Sequence, residues 1–513
     1  MPEASPTFAA QGSLDADSDA SCPSVATSLA AARLAQSAWA RSPLAVRLKW
    51  VRKLRALIAG NCEWLAGEIA RSWTRPAAEI LMSEVLPFAE ACRFLEANAY
   101  WLLSPQVAGS SGRPMWLRRV VTSVQREPLG VVLVIGPGNY PLFLPAVQVL
   151  QALVAGNAVL LKPAPGAEPA AHALADLAEQ AGLPDGLLTI LSSDKSAAEE
   201  AIALNVDKVF LTGSHGTGRA VYAECAKAMT PAVMELSGCD PVIVAEDADL
   251  DLTVRAVVFG LRLNDGATCI SPRRVFVHRS IANEFETRLV KALAGGEPIQ
   301  ITGRVAAVLK GLLTEAIANG ARLCHGQSGG DGSISGPVVL ADARQEMSLL
   351  NEDVFAPVLS LVGVADEAEA IAQSNACEYQ LGASVFSRDL GRARRIASAL
   401  RAGCVTVNDL VAPTADPRAP FGGTGRSGFG TTRGAEGLLE MTRPKVVLEH
   451  RGFFRPHFDP AQPGDAGLFA AVTRVLHLHG PRRRWQALAQ LVAAGRLRGK
   501  SGSNSVSSRR KKS

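Results

Sequence analysis

Residues 131–163 read VVLVIGPGNYPLFLPAVQVLQALVAGNAVLLKP, and residues 128–161 contain no charged residue. Uniform apolarity of this length is typical of a membrane span. Two breaks in the apolar run favour a different structure. The first is Gly136-Pro137-Gly138-Asn139-Tyr140-Pro141, and the second is Gly156-Asn157. The pattern predicts a buried strand, an apolar helix and a second buried strand. That is the repeating unit of a doubly wound parallel sheet.

Similar patterns continue on both sides of this stretch. Apolar residues recur at three- and four-residue spacing from Ser28 to about Tyr100 and predict helices. Strands are predicted at 187–191 and 208–211, and a second α/β pattern runs from Pro241 to about Leu410. The glycine-rich turn 212–219 suits phosphate binding, because unpaired N–H groups at a helix start face an anion. A purely structural tight turn explains the same glycines equally well.

Length and cysteine content limit the classes of protein to consider. A chain of 513 residues suggests two to four domains, and a hydrophobic content of 48% suffices for a large core. The nine cysteines form no C-x-x-C pair and have no histidines at metal-ligand spacing. This pattern argues against a zinc site and against a disulfide framework. With no secretory signal visible, we expect a cytoplasmic protein.

Basic residues are concentrated at the end of the chain. Eleven Lys and Arg and no acid follow Asp465, so the rest of the chain carries a net −6 against a total of +5. Apolar residues fall on one face of a predicted helix near 468–476, and a second short helix is expected around Trp485. We expect this basic tail to contact an anionic membrane peripherally, and we expect no specific nucleic-acid binding. The alternative is a helix that packs on its own body or on a partner subunit.

The loop Asn264-Asp265-Gly266-Ala267-Thr268-Cys269-Ile270-Ser271-Pro272 presents a thiol before an apolar strand. A lone intracellular cysteine is usually a small core residue. Here a carboxylate, Glu235, and an amide, Asn139, occur upstream, and these three groups form a set that can do covalent chemistry on a carbonyl. The alternatives are an Asn139 with positive φ and a Glu235 that caps a helix or pairs with a cation.

Taken together, the motifs resemble the aldehyde dehydrogenase superfamily from Ala31 to Leu448. The resemblance rests on their order and spacing: Glu127-Pro128-Leu129-Gly130, Pro137 to Pro141, Gly156-Asn157 with Lys162-Pro163, Phe210-Leu211-Thr212-Gly213-Ser214, Glu235-Leu236-Ser237-Gly238, Thr268-Cys269, Glu352-Asp353-Val354-Phe355-Ala356-Pro357, Pro420-Phe421-Gly422-Gly423 and Ser427-Gly428. It implies an α/β fold with two doubly wound domains and a β-flap for oligomerisation, usually in a dimer or tetramer.

The resemblance also implies a division of the chain. We expect a disordered N-terminus (1–24), a Rossmann-like cofactor domain (25–240) that includes a flap hairpin near 112–125, a catalytic domain (241–410), a return to the cofactor domain and flap (411–450), and a basic helical tail with a disordered end (451–513).

The activity implied by the resemblance is oxidation of an aldehyde to a carboxylic acid with NAD or NADP. Cys269 would add to the aldehyde carbon, Asn139 and the Cys269 N–H would hold the oxyanion, and Glu235 would activate the hydrolytic water. No metal is implied. The cofactor-binding residues would be Lys162, Gly213, Ser214, Gly218, Asp353 and Phe355. Two alternatives are an acylating enzyme that uses coenzyme A and a catalytically degenerate, membrane-associated scaffold.

The chain departs from the family pattern near both the cofactor and the nucleophile. Pro165 stands where a ribose-binding glutamate is expected, which predicts poor discrimination against NADP. Thr431-Thr432-Arg433 replaces a Gly-Arg-Glu sequence, so a second active-site glutamate is absent. The Thr-Cys-Ile-Ser-Pro sequence and a short segment between Cys269 and Asp353 favour a class 3-like branch, whose substrates are fatty or aromatic aldehydes.

Overall fold

A computed structural model describes residues 24–494 apart from 74, 330, 331, 454, 459 and 463. The predicted disordered N-terminus, apart from Ser24, and the disordered end of the tail lie outside the described residues. The chain forms two compact units. The first contains the chain up to Gln106 together with Val124–Val446, and the second contains Val107–Ser123 and the chain from Val447 onwards.

The first sheet of the first unit has six strands and confirms the interpretation of residues 131–163. Its strands are parallel except for the first pair, in the order Gly428–Phe429, Ala232–Leu236, Lys208–Gly213, Val131–Ile135, Ala158–Lys162 and Leu188–Ile190. The connecting helix Phe143–Ala155 is buried along its whole length and ends at Gly156, which has φ 98°. The uncharged run is therefore the centre of a protein core.

Helices cover this first sheet. The region predicted as helical contains Val25–Arg41, Leu44–Gly60, Cys62–Ser72, Ala77–Ile80, a π-helical turn Leu81–Val85, and Leu86–Leu103. The other helices that belong to this sheet are Glu168–Gln180, Lys195–Ala203, His215–Ala228 and Gly434–Glu440. Their apolar faces join the sheet in one continuous hydrophobic core.

The second sheet of the first unit has eight strands. Seven follow the order Ile299–Ile301, Ile334–Ala341, Val358–Val364, Pro272–His278, Asp240–Val244, Gly382–Phe386 and Cys404–Val407, and Arg322–Ser328 pairs with Ile334–Ala341. Its helices are Leu250–Arg262, Arg279–Ala294, Gly303–Ala318, Glu367–Ala376 and Leu390–Ala399. The division into cofactor and catalytic domains at residue 240 remains a prediction, since the first unit contains both sheets.

Shorter elements complete the fold. A three-stranded sheet consists of Gln106–Val107, Val120–Pro128 and Thr442–His450, and Tyr379–Gln380 pairs with Thr424–Gly425. Short 3-10 turns occur at Met115–Leu117, Leu263–Gly266, Ser348–Leu350, Ala412–Ala415 and Pro456–Phe458.

Two helices of the second unit lie where the tail was predicted to be helical. They span Asp465–His477 and residues 481–494. Arg474 Nη1 donates a hydrogen bond of 3.2 Å to Gln490 Oε1 between them, and each helix buries an alanine, Ala471 and Ala487. Among the described residues, no helix has both the length and the apolarity needed to cross a bilayer.

A buried ion pair anchors the start of the apolar helix in the first unit. The Glu84 side chain is completely buried and binds the Arg75 guanidinium. Its second oxygen, Oε2, accepts hydrogen bonds from the backbone N–H groups of Leu142 (2.8 Å) and Phe143 (3.2 Å). A carboxylate at this position satisfies orphan donors of the first turn and interacts favourably with the helix dipole.

We predict that Glu84→Gln destabilises the fold by about 3 kcal/mol, because the buried Arg75 guanidinium then keeps only the more distant Glu79 carboxylate, 3.8 Å away, as a counter-charge. The matched control is Glu90→Gln, which breaks an exposed pair with Arg93 and should cost about 0–1 kcal/mol. Urea unfolding followed by tryptophan fluorescence measures both variants. Equal stability of the two variants would contradict the role assigned to Glu84.

Candidate active site

The carboxyl edge of the first sheet brings several predicted site residues together. Ile135 pairs in register with Lys162 on one side and with Leu211 on the other, and Thr212 pairs with Glu235. The strand ends and the loops that follow them therefore lie side by side. This edge is where open α/β sheets bind their ligands.

The Cys269 loop is held in one conformation by its backbone and by a buried arginine. Asn264 and Asp265 both have φ 52°, and Gly266 has φ 75°. A Cβ on Gly266 would lie only 2.5 Å from Pro357 N. Arg273 donates from Nη1 to Ala356 O (2.5 Å) and from Nη2 to Gly266 O (2.7 Å). These bonds fix the loop that presents the thiol.

Asn139 is joined directly to this loop. Its Nδ2 donates to Ala267 O at 2.8 Å, and Asn264 Nδ2 donates to Asn139 O at 2.8 Å. The neighbouring Tyr140 hydroxyl shares a hydrogen bond of 2.7 Å with Thr268 Oγ1. Asn139 is buried and is not among the residues with positive φ, so the interpretation of Asn139 as a loop residue with positive φ is wrong. The amide lies beside the backbone that leads into Cys269.

Glu235 is a buried carboxylate within the strand Ala232–Leu236, so the helix-cap alternative is wrong. Thr432 Oγ1 donates to its Oε2 at 2.9 Å. Its other oxygen, Oε1, has no hydrogen-bond partner among the described residues. Burial raises the pKa of Glu235, while the nearby Arg433 charge and the Thr432 hydrogen bond lower it. A buried carboxylate with a raised pKa is a stronger base than an exposed one.

The Cys269 thiol lies among carboxylates. Burial is the main reason that its pKa is raised, and Glu235, Asp240 and Asp353 add to this effect. Arg433 opposes them. The thiol therefore needs a neighbouring base to become nucleophilic. Glu235 is the carboxylate with the largest influence on it.

Asp240 is a further site residue that sequence reasoning missed. It begins the strand Asp240–Val244, is buried, and has a pKa raised to about 7, mainly by burial. Its Oδ1 has no hydrogen-bond partner among the described residues. The only sequence signal was an acid at the start of an apolar strand, five residues after Glu235.

Lys162 and the turn after Gly213 have features that fit a dinucleotide. The Lys162 side chain is buried at the end of its strand, and its Nζ donates to Pro163 O at 3.1 Å, so it is not a solvated strand end. Burial lowers its pKa, whereas the charges of Asp194 and Glu168 raise it. Ser214 Oγ accepts from Thr217 N at 3.2 Å and caps the helix His215–Ala228. A buried ammonium and a helix N-terminus are suited to phosphates and ribose.

The other three predicted cofactor residues have different surroundings. A Cβ on Gly218 would lie 2.6 Å from Leu236 Cδ1, so this glycine allows the helix to pack beside the Glu235 strand. Asp353 has a pKa raised to about 6, mainly by burial, with opposing contributions from Arg273 and Ser237. Its charge also acts on Cys269. Phe355 is half-buried two residues later.

Comparisons with known proteins agree with this geometry. The family model described as the aldehyde dehydrogenase family matches residues 13–447. A 4,4'-diapolycopene aldehyde oxidase from Methylomonas is 34% identical over 432 residues, which are 82% of this chain and 81% of that protein. The chain belongs to the aldehyde dehydrogenase family.

Solved structures extend the likeness to the fold and the cofactor. A betaine aldehyde dehydrogenase from Staphylococcus aureus in complex with NAD+ has a TM-score of 0.78 and 26% identity, covering 85% of this chain and 91% of that one. An NADP-dependent glyceraldehyde-3-phosphate dehydrogenase from Bacillus halodurans, complexed with NADP, has a TM-score of 0.76 and 30% identity, covering 83% and 91%. This aldehyde dehydrogenase is thus an NAD(P)-dependent oxidoreductase that converts an aldehyde into a carboxylic acid.

A shallow groove lies beside Arg433. Its cavity volume is about 10 Å³, room for about one water molecule. Its wall is mostly apolar and contains Phe94, Leu95, Phe143, Val147 and Ala415, with Gln151 as a polar residue and Arg433 as its one charged residue. Arg433 also acts electrostatically on Glu235 and Cys269.

We predict that the enzyme uses both NAD and NADP with kcat/KM values within about a hundredfold, roughly 2.7 kcal/mol. Pro165 is exposed and cannot repel a 2′-phosphate, while the Lys162 ammonium can attract one. Steady-state kinetics with one good aldehyde measure the ratio.

Two substitutions serve as controls for this prediction. Pro165→Glu should shift the ratio towards NAD, because it introduces the missing carboxylate. Asp194→Asn tests whether the carboxylate near Lys162 already provides NAD preference. A wild-type preference for NAD above a hundredfold that disappears in Asp194→Asn would assign discrimination to Asp194 and refute the argument from Pro165.

Proposed function

We propose that Cys269, Asn139 and Glu235 perform the chemistry of this aldehyde dehydrogenase, and that Lys162, Gly213, Ser214, Asp353 and Phe355 contact the cofactor. One observation carries the proposal. The Asn139 amide is bonded to the Cys269 loop through Ala267, and the buried Glu235 carboxylate acts on the same thiol. A nucleophile, an oxyanion donor and a base therefore occupy one buried place.

The first half of the reaction uses the thiol and the amide. Glu235 takes the proton of Cys269, and the thiolate adds to the aldehyde carbon to form a thiohemiacetal. The Asn139 side chain keeps an N–H available besides the one donated to Ala267, so it stabilises the negative oxygen of the adduct. A bound NAD or NADP supplies the electron acceptor that turns the adduct into a thioester.

The second half of the reaction uses the carboxylate. Glu235 first releases the Cys269 proton to solvent and then takes a proton from water, whose oxygen attacks the thioester carbon. The carbon–sulfur bond breaks, and the proton on Glu235 passes to the leaving Cys269 thiolate, so the carboxylic acid and the thiol are released. Thr432 donates to Glu235 Oε2 and leaves Oε1 as the free acceptor. This free oxygen supports hydrolysis rather than transfer of the acyl group to coenzyme A, and it argues against a degenerate scaffold.

We assign fatty or aromatic aldehydes as the substrate class, because the Thr268-Cys269-Ile270-Ser271-Pro272 sequence favours the class 3-like branch. The phenylalanine, leucine and valine side chains around the groove agree with this class, since burial of a hydrocarbon against them is favourable by about 25 cal/mol per Å².

We predict that Glu235→Gln produces a single burst of about one reduced cofactor per site and then stops, because acylation proceeds and deacylation does not. Rapid-mixing absorbance with a fatty aldehyde measures the burst, which should form more slowly than in the wild type because the variant also lacks the base that takes the Cys269 proton. Cys269→Ser is the matched control and should give neither burst nor turnover while still binding cofactor. Full steady-state turnover in Glu235→Gln would refute the hydrolytic role, and added coenzyme A that restores it would favour the acylating alternative.

Copies of the chain should associate through the exposed strand Thr442–His450. The burial pattern of this strand shows exposure at nearly every position, and it includes Val446, Val447 and Leu448. An exposed strand that carries three consecutive apolar side chains favours pairing with another chain. This feature supports the proposed homodimer or homotetramer.

The basic tail supports a peripheral membrane contact. In the helix over 481–494, Trp485, Leu488 and Val492 share one face and are 73%, 43% and 51% exposed. Arg482, Arg483 and Arg484 precede this face. An exposed aromatic and aliphatic face beside clustered arginines suits an anionic bilayer surface. An enzyme bound at a membrane surface would receive apolar aldehydes directly from the bilayer.

We predict that replacing Arg482, Arg483 and Arg484 by Glu weakens binding to anionic liposomes at least about tenfold, since each basic residue near such a surface contributes about 1 kcal/mol. Liposome sedimentation at several salt concentrations measures the binding. The matched control replaces Arg394, Arg395 and Arg401, three exposed arginines of the first unit, by Glu. An unchanged liposome affinity together with a changed oligomeric state would assign the tail to subunit packing.

A further inference from the structure

We propose that Glu79 is a positioning residue that holds the start of the Cys269 loop against the oxyanion donor Asn139. The inference rests on the proposed roles of Cys269 and Asn139. Glu79 lies in the helical N-terminal region, 185 residues before the first residue of the loop that it binds. It belongs to none of the motifs that carry the family resemblance.

A π-helical turn brings two carboxylates to one cation. Glu79 lies in the helix Ala77–Ile80, and Glu84 lies in the π-helical turn Leu81–Val85 that follows it. A π-helix closes its hydrogen bonds from i to i+5, so residues five apart face the same way, whereas five residues of α-helix make about 1.4 turns. Arg75 Nη2 donates to Glu84, and Arg75 Nη1 lies 3.8 Å from Glu79 Oε1. Such turns are frequent at functional sites.

Each of the two carboxylates binds a different loop of the active site. Glu79 Oε1 accepts a hydrogen bond of 3.0 Å from the backbone N–H of Asn264, the first residue of the Cys269 loop. Glu84 accepts from two backbone N–H groups that follow Asn139 by three and four residues. One arginine therefore joins the acceptor that holds the nucleophile loop to the acceptor that holds the oxyanion donor.

The arginine also contacts the loop of the oxyanion donor directly. Its side chain is only 2% exposed, and its Cζ lies 5.3 Å from the centre of the Tyr140 ring. The Tyr140 hydroxyl shares a hydrogen bond of 2.7 Å with Thr268 Oγ1, beside the nucleophile. Arg75, Glu79 and Glu84 thus form one charged cluster that touches both loops.

The turn that Glu79 holds has an uncommon backbone conformation. Asn264 and Asp265 both have φ 52°, and Gly266 follows with φ 75°. Successive left-handed residues that are not glycine are costly and persist only where the surroundings fix them. Glu79 binds the first N–H of this turn, and Arg273 binds the carbonyl of its last residue at 2.7 Å. The two contacts fix the turn at both ends.

The same turn makes the contact with the oxyanion donor. Asn264 Nδ2 donates to Asn139 O at 2.8 Å, and Asn139 Nδ2 donates to Ala267 O at 2.8 Å. A shift of Asn264 therefore moves the amide relative to the backbone that leads to the thiol. A misplacement of about 1 Å at reacting groups can lower a rate by about a hundredfold. Glu79 acts on the chemistry through Asn264.

The test separates the reach of the Glu79 side chain from its charge. Glu79→Asp keeps the charge but is one methylene shorter, so its carboxylate no longer reaches Asn264 N. Glu79→Gln keeps the length and an acceptor oxygen but loses the charge, and Glu79→Ala loses both. The matched control is Glu68→Asp, because the Glu68 side chain is 21% exposed against 20% for Glu79 and also lies beside an arginine, Arg71.

The first measurement is the rate of cofactor reduction in a single turnover, with enzyme in excess over a fatty aldehyde at several enzyme concentrations. We expect the limiting rate to fall at least about tenfold in Glu79→Asp and Glu79→Ala, because the amide and the thiol are then misaligned. It should stay within about threefold in Glu79→Gln and Glu68→Asp. The half-saturating enzyme concentration should stay within about threefold throughout. A merely structural role would reduce the yield of folded enzyme and leave the limiting rate unchanged.

The second measurement needs neither aldehyde nor cofactor. Hydrogen exchange followed by mass spectrometry reports local opening of a peptide that covers residues 260–272. We expect exchange there to become at least about tenfold faster in Glu79→Asp and Glu79→Ala, since a hydrogen bond to a charged group is lost. Glu79→Gln and Glu68→Asp should resemble the wild type. A peptide that covers residues 136–145 is the internal reference, because Glu84 still holds it.

The outcomes separate this inference from the proposed function. Unchanged single-turnover rates in Glu79→Asp and Glu79→Ala would overturn the role of Glu79 even if the wild type oxidises aldehydes normally. A slower turnover in Glu79→Gln than in Glu79→Asp would also overturn it, because charge and not reach would then matter. A wild type that oxidises no aldehyde would refute the proposed function, while hydrogen exchange would still decide whether Glu79 holds the Cys269 loop.

Discussion

The buried carboxylate of Glu84 connects three parts of the first unit. It binds Arg75 from the helical N-terminal region and caps the helix Phe143–Ala155 through Leu142 and Phe143. The loop that this helix follows contains Asn139 and Tyr140, which bind the Cys269 loop through Ala267 and Thr268. One desolvated ion pair therefore determines where the oxyanion donor meets the nucleophile. Such a pair tolerates little movement, because a separated buried charge is very costly.

A second constraint acts on the active site, where charged groups must balance one another with little contact with solvent. Three carboxylates, Glu235, Asp240 and Asp353, surround one thiol, and burial raises the pKa of each of these groups. Nearby cations oppose this effect of burial. Three buried arginines supply the opposite charge: Arg273, Arg274 and Arg433. Arg273 also fixes the Cys269 loop, whereas Arg433 adjoins the groove.

Much of the fold and the identity of the reactive groups could be predicted from the sequence. Residues 128–161 have no charge, so hydrophobic burial on both faces required two core strands and an enclosed helix. Several other strands were missed, among them Arg322–Ser328 and Ile334–Ala341. The first is mostly polar and partly exposed at the edge of its sheet, so neither alternation nor a long apolar run marked it. The motif order was sufficient to indicate the aldehyde dehydrogenase family.

The sequence by itself determined the local elements, the family and the residue types that can do the chemistry, because short-range apolar patterns and motif spacing are properties of neighbouring residues. Only the tertiary structure decided which polar groups meet. Thr432 and Glu235 are 197 residues apart in the chain, yet they share a hydrogen bond because a bridge to Phe421 brings them together. Arg433 and Asp240 became site residues in the same way. Their significance lies in desolvation and proximity, which depend on strand order and packing and leave no local pattern in the sequence.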